Sequence, residues 1–65
     1  MSPTEIRKQI ELLQGRLAIE KLNYEQAIKK DFELSLLRPI YHIMKTTIEQ
    51  LNNMVAQYRE LNYSV

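Results

Sequence analysis

The sequence predicts a small, soluble, all-α protein: a two-helix antiparallel hairpin, coiled-coil-like, that completes its core by dimerising into a four-helix bundle. Apolar residues recur at helical spacing along both halves of the chain. Glycine occurs once and proline twice among 65 residues, and turn pairs of the Asn-Gly kind that join strands are missing. The chain, read as a single domain over 1–65, is also too short to bury a large core, since a domain of this size hides only roughly 60% of its unfolded surface. Small domains compensate with disulfides, metals, regular helix packing or association. With no cysteine and His42 as the one histidine, disulfides and the usual Cys/His zinc sites are excluded. Helix packing and association remain.

Helix one is expected over about residues 3–30. Ser2 suits the N-cap, Pro3 the first helical position, and Glu5 completes a capping-box pattern with Ser2. Ile6, Ile10, Leu13, Leu17, Tyr24 and Ala27 or Ile28 then follow the spacing of one helical face. Glu20 interrupts that stripe, and the aliphatic stem of Lys21 is expected to cover the edge beside it. Lys29 and Lys30 close the segment, where cations suit the negative end of the helix dipole.

Helix two is expected over about residues 36–63, with the turn somewhere within 31–38. Leu37, Met44, Leu51, Tyr58 and Val65 recur every seven residues, and Ile40, Thr47, Met54 and Leu61 fall three residues after the first four. Tyr41, Ile48 and Val55 widen the face, while Arg38, His42, Lys45, Glu49, Asn53 and Glu60 lie opposite. No glycine marks the turn; Asp31 or Ser35 is the expected cap of the second helix, with Pro39 near its first turn. One kinked helix in a parallel coiled coil is the rival. The stripe loses phase between Ala27 and Leu37, as a chain reversal requires.

Two packed helices each bury one stripe. Helix one carries further apolar and small residues on another face, Leu12, Gly15, Ala18, Ile19 and Leu22. The arc on helix two is wider than one partner helix covers. Clustered apolar surface marks an interface, so the protein-interface residues are read as Leu12, Gly15, Ile19, Leu22, Tyr41, Met44, Ile48 and Val55. A second copy of the chain closes these surfaces most simply, as a two-fold homodimer. An amphipathic helix from another protein would satisfy them too.

Little in the sequence carries chemistry. There is no nucleophile elbow, glycine-rich phosphate loop or metal-spaced cluster, so no enzyme activity, cofactor or metal is expected. Nine Lys/Arg against eight Asp/Glu give a formal charge of +1, and the basic residues Arg7, Lys8, Arg16, Lys21, Lys29 and Lys30 are scattered among glutamates. That is a weak footprint for nucleic acid. No apolar run is long enough to span a membrane, and the first residues have no signal-peptide core, so the cytoplasm is the default compartment. The function expected is that of a non-enzymatic protein–protein interaction module: a small adaptor, co-chaperone or regulator. The alternatives are a small nucleic-acid-binding helical dimer, or a phosphorelay element using His42.

Overall fold

The first helix starts where the capping residues place it. In the computed structural model, which describes residues 2–63 and the side chains of residues 2–61, Ser2 has extended dihedrals and its hydroxyl accepts from the Glu5 N–H at 3.3 Å. Pro3 follows at the position where its missing N–H costs nothing. Helix α1 spans Pro3–Lys29 and helix α2 Leu34–Tyr63, and they pack against each other as a hairpin 50 × 15 × 14 Å in extent.

The reversal between them uses aspartate where helices commonly use glycine. Asp31 has φ 54, the left-handed region. Its N–H donates to the Ile28 carbonyl and the Phe32 N–H to the Ala27 carbonyl, both at 3.1 Å. Those two bonds form a Schellman motif that satisfies carbonyls otherwise orphaned at the helix end. Asp31 therefore closes α1 and does not cap α2. The first carbonyl of α2 belongs to Glu33, which accepts from Leu36 and Leu37. Helix two thus begins at Leu34, inside the segment expected to form the turn, and Pro39 sits in its second turn. There it has no N–H to offer the Ser35 carbonyl, an omission tolerated because Ser35 and Pro39 are exposed to water.

Between the helices runs a thin seam. Ile6, Ala27 and Thr47 are buried. Ile10, Leu13, Leu17 and Tyr24 of α1 and Leu37, Ile40, Met44, Ile48, Leu51, Met54, Val55, Tyr58 and Leu61 of α2 are half-buried. Val65, the last residue of the heptad series, lies outside the described residues. Tyr24 and Tyr41 stack across the seam with ring centroids 5.8 Å apart and planes tilted by 48°, an arrangement worth about 0.5–1.5 kcal/mol beyond its buried area.

Glu20 occupies the gap in the apolar stripe of α1, and it is a member of the seam. Its side chain is only 11% exposed. The Thr47 hydroxyl lies between the two carboxylate oxygens, 2.9 Å from Oε2 and nearer still to Oε1. Arg16 Nε stands 3.6 Å from Oε1 on the outer side. Lys21, expected to screen this edge, is exposed.

Candidate interaction surfaces

Wherever apolar side chains are left in water, a partner can gain free energy by covering them. Among the described residues the large exposed hydrophobics fall into two groups. The first lies on the back of α1: Leu12 is 67% exposed, Ile19 64% and Leu22 54%. At 3.6 residues per turn, this row stands ~160° around the helix from the seam, so α2 cannot reach it. Gly15 lies in the same row, and a Cβ built on it would meet nothing within 4 Å.

The second group surrounds the loop end of the hairpin. Ile28, Phe32, Leu34, Leu36, Tyr41 and Ile43 are exposed by between 40% (Phe32) and 64% (Leu34). On one flank there, Ala27, Phe32, Ile40 and Ile43 line an open groove of about 330 Å³, with Glu20, Asn23, Gln26 and Lys30 completing its walls. A second groove of about 400 Å³ lies toward the chain ends, between Gln9, Leu13 and Arg16 of α1 and Gln50, Asn53 and Met54 of α2. Four of these six residues are polar.

The residues read from sequence as interface therefore divide. Leu12, Gly15, Ile19 and Leu22 come together on one open face of α1. Met44, Ile48 and Val55 are half-buried along the seam, and Tyr41 is half-exposed against Tyr24. The loop-end residues Phe32, Leu34, Leu36 and Ile43 escaped the sequence reading. The alternation Phe32-Glu33-Leu34-Ser35-Leu36 was the available signal, but it falls in a stretch taken for turn, where no face can be assigned.

Among the described residues, chemistry-bearing side chains do not converge. His42 is exposed, and its carbonyl accepts from the Thr46 hydroxyl at 2.9 Å. Among the described residues no three His, Asp or Glu side chains are grouped to hold a metal ion. Two of the scattered cations are engaged within their own helix, Arg7 with Glu11 at 3.7 Å and Arg16 with Glu20 at 3.6 Å. Among the described residues no helix is long and apolar enough to cross a membrane. No protein-family model, curated protein or solved structure matches the chain.

Proposed function

We propose that this protein is a non-enzymatic interaction module, a small adaptor or regulator that works as a self-associating helical hairpin, four helices to the dimer. One observation carries the reading. Among the described residues the hairpin buries Ile6, Ala27 and Thr47 completely, while nine large hydrophobic side chains stay exposed. A core so thin is a weak basis for a stable domain, and association is the remedy open to a chain with neither cysteine nor a metal cluster among its described residues.

The loop-end cluster favours a second reading, in which the hairpin also takes up an amphipathic helix of another protein. Its groove offers aliphatic and aromatic walls with a polar rim, the surface that helix-in-groove recognition uses.

Ile19→Asp tests the self-association reading. The side chain is 64% exposed in the hairpin, so the single chain should keep its helicity while sedimentation shows a dimer weakened at least about tenfold, as burying an unpaired charge demands. Ile48→Asp gives no such separation, because Ile48 belongs to the seam between α1 and α2. An Ile19→Asp protein that associates like its parent would remove the back of α1 from the interface.

A further inference from the structure

We infer that the back of α1 pairs with the same face of a second copy, antiparallel and centred near Leu17, with Gly15 of each chain receiving Ile19 of the other. The inference rests on the self-association reading and names its surface and register.

The face is a second heptad seam, distinct from the one that packs on α2. Glu5, Lys8, Leu12, Gly15, Ile19, Leu22, Gln26 and Lys29 alternate in steps of three and four residues, the spacing that holds side chains along one line of a helix. All eight are exposed. In an antiparallel pair the two kinds of seam position face each other. Taken about a two-fold axis at Leu17, that puts Leu12 opposite Leu22, Gly15 opposite Ile19, Lys8 opposite Gln26 and Glu5 opposite Lys29. Each layer is complementary. A large side chain faces the one glycine in the two layers beside the axis, leucines meet in the next layer on either side, and the outermost layer joins an anion to a cation.

A parallel pair would instead stack each residue on its own copy. Glu5 would meet Glu5, Lys8 would meet Lys8, Lys29 would meet Lys29, and the Gly15 layer would be empty. Rim contacts favour the parallel arrangement, which sets Glu11 beside Arg16 and Glu25 beside Lys30, where the antiparallel one sets Glu11 beside Glu25 and Arg16 beside its own copy. Glu11 and Arg16 already have partners in their own helix, Arg7 and Glu20, and exposed pairs contribute little in any case. An unfilled layer is the greater loss, because a void forfeits dispersion contacts on every side.

Because this face points away from α2, the dimer orders its helices α2–α1–α1–α2, an open layer in place of a closed square bundle. Both loop ends then stay accessible.

The absence of native cysteine makes the register testable by cross-linking in the full chain. Gly15→Cys and Ile19→Cys proteins are oxidised separately and as a mixture. The inference predicts a mixed disulfide as the main product of the mixture, with little self-cross-linking of either protein. Efficient cross-linking of each with itself means parallel pairing and overturns the register. No cross-linking, together with a mass of twice the chain, overturns the face while leaving self-association intact; a monomeric mass removes both. A second pair of variants guards against effects of cysteine. Glu5→Lys should loosen the dimer about threefold at low salt, and Glu5→Lys with Lys29→Glu should restore it. The double variant sets both charges against the helix dipole, so recovery cannot come from a stronger helix. If the double variant is weaker than the single one, the Glu5–Lys29 layer is wrong.

Discussion

At the scale of single residues, the pair Glu20 and Thr47 decides more than its size suggests. A carboxylate in an apolar seam is costly unless its oxygens find donors, and Thr47 supplies one from the facing helix while Arg16 adds a loose ion pair. The hydroxyl has one proton, so it satisfies one carboxylate oxygen at a time. Removing the donor and removing the acceptor should therefore differ. Thr47→Val leaves the carboxylate half-buried without its bond and should cost about 1–2 kcal/mol, lowering the melting midpoint by roughly 5–10 °C. Glu20→Met replaces the charge with a flexible apolar side chain and should lie within about 1 kcal/mol of the parent or above it. Urea unfolding of the two variants compares them directly. A Glu20→Met protein less stable than Thr47→Val would show that the carboxylate contributes more than it costs. The gain would be register, since a single polar pair aligns two helices in a way that interchangeable leucines do not.

At the scale of the elements, most of the hairpin was legible in the sequence and the turn was not. The seam of α2 could be read because its heptads run unbroken from Leu37 to Leu61. The start of α1 could be read because Ser2 and Pro3 act through local bonds alone. The turn resisted because its left-handed residue is Asp31, a type that also serves as an N-cap, and sequence does not say which role it takes. Once Asp31 closes α1, Leu34 can begin α2, and Pro39 moves deeper into the helix than a proline usually stands. Glu20 was misjudged for a related reason. Its partner Thr47 is distant in sequence, and without that partner the residue reads as a break in the stripe. The capping role of Asp31 predicts the order of two variants. Asp31→Gly should stabilise the hairpin by about 0.5–1 kcal/mol, because glycine enters the left-handed region without a Cβ penalty. Asp31→Val should destabilise it by about 1–2 kcal/mol. Thermal melts at one protein concentration measure both, and equal midpoints would mean that Asp31 does not hold that conformation in solution.

For the whole molecule, the decisive feature is the mismatch between a thin internal seam and the apolar surface left outside it. Among the described residues nine large hydrophobics are exposed, and clustered apolar surface marks interaction sites. They form two separate regions, the back of α1 and the loop end, and a dimer through the first leaves the second free. That division suits a module that joins its own copy on one side and another helix on the other. Association then supplies part of the folding free energy, so helicity and melting midpoint should rise with protein concentration. The measurement that tests this most directly is the solution mass by light scattering across about a hundredfold range of concentration. The account predicts a mass that climbs to, or stays at, about twice the 7.8 kDa of the chain. A mass of one chain throughout, with full helicity and a concentration-independent melt, would show that the hairpin stands alone and would contradict it.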